Sequence, residues 1–91
     1  MRRIVWSDQA IEDLQSIRAY VAGFNPFAAE RLTQRLIDTA ESLRSFPERG
    51  RAISVTRREL MTVKPYSIRY SVTDSEVYIL NLRHTARRAL R

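Results

Sequence analysis

The chain has 91 residues, 44% of them hydrophobic, which suits one small domain, residues 1–91, with a single compact core. It has no cysteine and one histidine, so disulfides, thiolate chemistry and multi-histidine metal centres are excluded, and neither a metal nor a cofactor is expected. The formal net charge is +6 and is unevenly placed: residues 1–48 carry six arginines and seven acids, and residues 49–91 carry ten basic residues and three acids. Fifteen of the 16 basic residues are arginine, which serves solubility or forms a face for phosphates and carboxylates.

Residues 2–6, RRIVW, are β-branched and aromatic and predict a strand. The two arginines of MRRIVWSDQA precede no long apolar run, so no signal peptide, membrane span or membrane partner is expected, and the cytoplasm is the expected location. Ser7 can cap a helix, with Asp8 and Glu12 near its positive end. Ala10, Ile11, Leu14, Ile17 and Val21 then form one apolar stripe, and Gly23 is the expected stop. Asn25 can cap a second helix with Pro26 in its first turn. Ala29, Leu32, Leu36, Ala40 and Leu43 mark its stripe, with Ile37 and Phe46 beside it and Pro47 as its end. The short link predicts an antiparallel hairpin, with Phe24 and Phe27 expected to pin its tip to the domain.

PERGR, residues 47–51, reads as a turn. Residues 58–63, 66–72 and 76–84 read as three strands. A three-residue turn at 73–75 would set Val72 opposite Glu76, Tyr70 opposite Tyr78, Ile68 opposite Leu80 and Tyr66 opposite Leu82. That register puts Tyr66, Tyr70 and Tyr78 on the helix side and Ser67, Arg69, Asn81 and Arg83 on the other, with His84 at a frayed end. The expected fold is α+β, in the order β-α-α-β-β-β. An antiparallel helical hairpin covers one face of a mainly antiparallel sheet of about four strands, and residues 85–91 form a tail.

The ordered set VWSDQAIEDLQSIRAYV, NPFAAERL, FPERGR, RELMTVKPYSIRYSV and VYILNLRHTAR resembles the ParE branch of the ParE/RelE toxin superfamily over nearly the whole chain. The resemblance implies the toxin half of a bacterial type II toxin–antitoxin module that inhibits growth. It implies a ParD-like antitoxin, acidic and partly disordered, that folds as it binds to form a toxin–antitoxin hetero-oligomer. It also implies DNA gyrase as the target. Sequence-specific DNA binding by the toxin alone is not implied. Arg69, Arg83, His84, Arg87 and Arg88 are the candidate target contacts, and Tyr20, Phe24, Phe27, Arg31 and Arg35 the candidate antitoxin contacts.

RelE relatives cut messenger RNA without a metal, and that chemistry needs a base, an acid and cations for the developing charge. On this alternative His84 is acid or base, Glu59 or Glu48 a base, and Arg69 and Arg83 the charge stabilisers. The ending TARRALR has no tyrosine beyond Tyr78, and lysine-rich helices are missing, which favours the ParE pattern and a structural or contact role for His84 over a catalytic one. Glu59, between arginines, is expected in ion pairs. A degenerate, antitoxin-binding module without toxicity is a third alternative.

Overall fold

A computed structural model describes residues 1–85. Its elements are β1 (Arg3–Trp6), α1 (Asp8–Ala22), α2 (Pro26–Ser42), β2 (Arg51–Ala52), β3 (Arg57–Val63), β4 (Tyr66–Val72) and β5 (Glu76–His84). Five strands form one sheet in the order β1-β5-β4-β3-β2, antiparallel except where β1 lies parallel to β5. The fold is the expected α+β hairpin on a sheet. The fifth strand, β2, comes from the end of the stretch read as a turn: Arg51 pairs with Glu59 and Ala52 with Arg58. No helix among the described residues is long and apolar enough to cross a membrane.

The helices start where their caps place them. The Ser7 hydroxyl accepts from Ala10 N at 3.0 Å, and Asn25 Oδ1 accepts from Ala28 N at 3.1 Å. Each cap satisfies an amide that the first helical turn leaves open. Gly23 closes α1 in a right-handed conformation. The second helix ends at Ser42, short of Pro47, because the backbone after it tightens into successive turns. Helix α1 lies against β5, α2 reaches β3, and the core between them holds Ile17, Leu36, Leu43, Leu60, Ile68, Tyr70, Val77, Ile79 and Leu82.

The expected β4–β5 register is corrected. The turn is one residue longer, so Val72 faces Val77, Ser71 faces Tyr78 and Tyr70 faces Ile79. The ladder then shifts at Leu80: Arg69 faces Asn81, Ile68 faces Leu82, Ser67 faces Arg83 and Tyr66 faces His84. A β-bulge of this kind inserts one extra residue and reverses the alternation beyond it. Val77 and Ile79 are therefore core residues, and Leu82 returns to the core after the extra step. Tyr78 consequently lies away from the helices, where its hydroxyl donates to Glu76.

The bulge is held by the start of α1. Ser7 N donates to Ile79 O at 3.0 Å, and the Ser7 hydroxyl donates to Leu80 O at 2.8 Å. Asp13 Oδ2 accepts from Leu82 N at 2.9 Å. These contacts satisfy backbone groups of β5 that no neighbouring strand meets once β1 has ended.

A second anchor sits under the loop before β2. The Tyr70 hydroxyl donates to Pro47 O at 2.7 Å and accepts from Gly50 N at 2.9 Å. Arg58 Nη1 donates to Gly50 O at 2.6 Å. A Cβ at Gly50 would stand 2.7 Å from the Tyr70 hydroxyl and 2.9 Å from Glu59 O, so only glycine fits this approach.

Asp13→Ala should lower stability by roughly 1–3 kcal/mol by stranding the Leu82 amide. Gly50→Ala should cost at least about 1–3 kcal/mol through overpacking. Urea unfolding midpoints measure both, and an unchanged midpoint for Asp13→Ala would show that the bulge does not need this bond.

Candidate functional site

The sheet face turned away from the helices carries the polar residues of β2 to β5. The register sets Arg51 opposite Glu59, Glu59 opposite Arg69, Arg69 opposite Asn81, and Ser67 opposite Arg83. Arg57, opposite Ser71, lies on the same face. The chain's arginine-rich half thus folds into a surface with four guanidinium side chains and one carboxylate near its middle.

That carboxylate is Glu59, only 4% exposed. Arg51 Nη2 donates to its Oε1 at 3.2 Å; the Ser67 hydroxyl and Arg69 Nε donate to its Oε2 at 3.0 Å and 3.3 Å. Burial pushes its pKa up, but the hydrogen bonds from Ser67, Arg69 and Arg51 and the Arg69 charge outweigh burial and hold it below its ordinary value of 4.5. Glu59 is therefore an ionised anchor for two arginines and a weak proton acceptor at neutral pH. Ser67, fully buried on this otherwise solvent-facing side, is part of the same anchor.

His84 occupies the opposite face. It is paired with Tyr66, and the two rings meet edge to face at 5.2 Å. Tyr66 belongs to the core under the helices. The frayed end expected at His84 is instead continued by Thr85, whose amide and hydroxyl donate to Pro65 O at 2.9 Å and 3.0 Å. The structure thus brings together Glu59 and Arg69, with Arg83 on their face, and leaves His84 across the sheet. Glu48 is exposed in the loop before β2. Among the described residues no three of His, Cys, Asp and Glu cluster as a metal site would require. Arg87 and Arg88 lie outside the described residues.

A second surface lies at the tip of the helical hairpin. Phe24 and Phe27 are each 77% exposed, so they do not pin the tip to the domain as the sequence suggested. Tyr20 is also exposed and meets Phe24 edge to face at 5.3 Å. The Arg18–Glu30 ion pair, with Arg18 Nε 3.0 Å from Glu30 Oε2, joins the two helices beside it. Arg31 and Arg35 are exposed on α2. Tyr20 and Phe24 thus share one exposed aromatic contact, and Phe27 is exposed three residues further along the chain.

At the outer end of β5, Glu76 is held ionised by the Tyr78 hydroxyl and Arg3, which bring its pKa below the ordinary value. The Glu76 carboxylate in turn raises the Tyr78 phenol. This cluster joins β1 to β5.

Sequence reasoning missed the burial of Glu59 and Ser67. The available signal was the placement of Glu59 across from Arg69, which requires the β3–β4 register as well as the composition.

Residues 4–89 match the family model described as the ParE toxin of the type II toxin-antitoxin system, parDE. The chain is 48% identical over 87 residues to Toxin RelE2 of Caulobacter vibrioides, covering 96% of this chain and 99% of that protein. It is 33% identical over 85 residues to Putative toxin Y4kP of Sinorhizobium fredii, covering 91% and 88% respectively. A solved chain from the chromosomal ParDE TA system of P. aeruginosa superposes with a TM-score of 0.79 at 25% identity, covering 92% of this chain and 96% of that one.

The depressed Glu59 pKa links stability to pH. Above the unfolded value the anchored carboxylate contributes fully. As pH falls below about 4.5 the unfolded chain takes up the proton first, so this contribution is lost down through the folded value. Glu59→Gln should therefore flatten part of the acid-side loss of stability. Urea titrations of both chains across that range provide the check, and identical pH slopes would contradict the anchor.

Proposed function

We propose that this chain, which belongs to the ParE family of type II toxin–antitoxin toxins, arrests growth by binding DNA gyrase rather than by cutting RNA. The observation that carries this reading is the arrangement of the sheet. The face bearing Arg69 and Arg83 holds its one buried carboxylate ionised and saturated with donors, while the only histidine lies on the other face. RNA cleavage would need an acid, a base and cations converging on one phosphate. A surface of guanidinium groups, two of them tethered to a carboxylate that is already ionised and hydrogen-bonded, suits recognition of phosphate or carboxylate, where each arginine offers a two-pronged donor. Arg83, with Arg87 and Arg88 of the terminal segment, would add to the contact with gyrase or its DNA complex and trap a cleaved-DNA intermediate in the cytoplasm.

The antitoxin partner, on this reading, is acidic, partly disordered and folds as it binds. Its apolar helix would cover Tyr20, Phe24 and Phe27, with Arg31 and Arg35 meeting its acids. What supports this is the exposure of both phenylalanines beside basic side chains.

In a gyrase supercoiling assay with plasmid and ATP, linear DNA should accumulate with toxin dose. Charge removal at Arg83, Arg87 and Arg88 should raise the effective dose by roughly tenfold, a loss of about 1.4 kcal/mol in binding, and His84→Ala should change it less. Unaltered supercoiling at saturating toxin would end the gyrase reading. For the antitoxin, the double substitution Phe24→Ser and Phe27→Ser should weaken the complex by at least roughly tenfold in calorimetry, as expected for exposed aromatic anchors. An unchanged affinity would move the antitoxin contact elsewhere.

A further inference from the structure

Three arginines of the sheet face stand in a regular order. Arg57 is opposite Ser71, and Arg69 follows two residues from Ser71 along β4. Arg83 is opposite Ser67, which lies two residues beyond Arg69 in the same direction. Each step crosses one strand and moves two residues, a diagonal of about 7–8 Å in a sheet. Arg57, Arg69 and Arg83 therefore lie on one line across β3, β4 and β5 at near-even intervals. Arg57, at one end of the line, is exposed and forms no ion pair among the described residues.

The two flanks of this line differ. On the β2 side lie Arg51 and Glu59, and Glu59 ties Arg51 to Arg69. On the β5 side lie Asn81, opposite Arg69, and Tyr78, opposite Ser71, both partly exposed. The Tyr78 hydroxyl donates to Glu76, which tethers the ring at its tip. Glu76 is also met by Arg3, so the carboxylate on this flank is already engaged. The line of cations thus has an aromatic ring and an amide along one side only.

We propose that this face holds a single-stranded segment of DNA, with successive phosphates on Arg57, Arg69 and Arg83 and a base stacked on Tyr78 beside Asn81. Evenly spaced guanidinium groups answer the repeating charge of a phosphodiester chain. A ring on one flank answers the bases, which all hang from the same side of that chain and offer a flat face whatever their identity. An acidic peptide would meet the arginines but give Tyr78 no counterpart. A duplex keeps its bases stacked inside and out of reach of the ring. The choice of DNA over RNA rests on the gyrase reading, and the assignment names what the arginine face would grip in such a complex.

The test is fluorescence anisotropy of a labelled short oligothymidylate titrated with the purified full chain, with no gyrase present. Binding should saturate, and log affinity should fall with log salt with a slope of about −2, as three phosphate contacts to a single strand imply. Arg57→Ala should bring that slope to about −1.4. An abasic oligomer of the same length and charge should bind at least about fivefold more weakly, and Tyr78→Leu should weaken the thymidylate by a similar factor. Tyr78→Phe keeps the ring without the hydroxyl and should bind as the native chain does, which separates stacking from loss of the Glu76 contact. The proposal is overturned if no saturable binding occurs, if the abasic oligomer or Tyr78→Leu binds as well as its counterpart, if Arg57→Ala leaves the slope unchanged, or if oligouridylate binds more tightly than oligothymidylate. Gyrase inhibition without oligonucleotide binding would remove this assignment alone; oligonucleotide binding with unaltered supercoiling would remove the gyrase reading alone.

Discussion

The bulge at Leu80 decides what each side of this domain is made of. Before it, Val77 and Ile79 face the helices; after it, Leu82 and His84 do. An unbroken ladder from the same turn would send Asn81 and Arg83 into the core and Leu82 into water, because a one-residue slip exchanges the two faces of a strand. The core and the arginine surface are therefore two consequences of the same extra residue. That residue is maintained from outside the sheet, by Ser7 at the cap of α1 and by Asp13 nearly two turns further on. The side chain that starts the first helix thus also helps to set the face of the last strand, which couples elements 73 residues apart.

On the surface so formed, electrostatics rather than packing governs. Several guanidinium groups on one face repel one another, and a single carboxylate among them offsets part of that repulsion. Glu59 is buried, which by itself would favour its neutral form, yet its donors keep it charged. Two of the three contacts that stabilise its charge come from Arg51 and Arg69 and tether those side chains, which restricts how their remaining N–H groups are presented. Preorganisation of this kind lowers the ordering entropy that a bound anion would otherwise have to overcome. It also makes Glu59 a poor base, so the feature that strengthens recognition weakens the case for proton transfer.

The elements were largely legible because each carries a local signal. Ser7 and Asn25 with Pro26 mark the helix starts, and the alternation in YSIRYSV marks β4 with its observed limits. What escaped depends on partners distant in sequence. The stretch Val77–Leu82 is consistent with either of two apolar alternations, and only the bonds from Ser7 and Asp13 choose a bulged combination of both. The two-residue β2 has no periodicity to read and exists through its pairing with Glu59 and Arg58. Phe24 and Phe27 have the composition of tip anchors, but the overhang of the hairpin is a property of the packed domain. At the candidate site, the arginines were legible as a charge excess. The burial of Glu59 and the turning of His84 onto Tyr66 followed only from register.

Exposure and stability meet in the last consideration. A domain of this length buries a smaller share of its surface than a larger one does, and its margin over unfolding is correspondingly narrow. Here Phe24, Phe27, Phe46 and Val55 are left in water rather than used to widen that margin. Any partner that covers such side chains in the folded form alone stabilises that form by mass action, by a free energy that grows with the logarithm of its excess over its dissociation constant. On the reading proposed above, an antitoxin at the hairpin tip would therefore stabilise the toxin it silences. Losing that partner would then uncover the aromatic patch and narrow the folding margin in one step. The arginine face is built on Glu59, Ser67 and Arg69, away from that patch, so its geometry would persist while the domain stays folded.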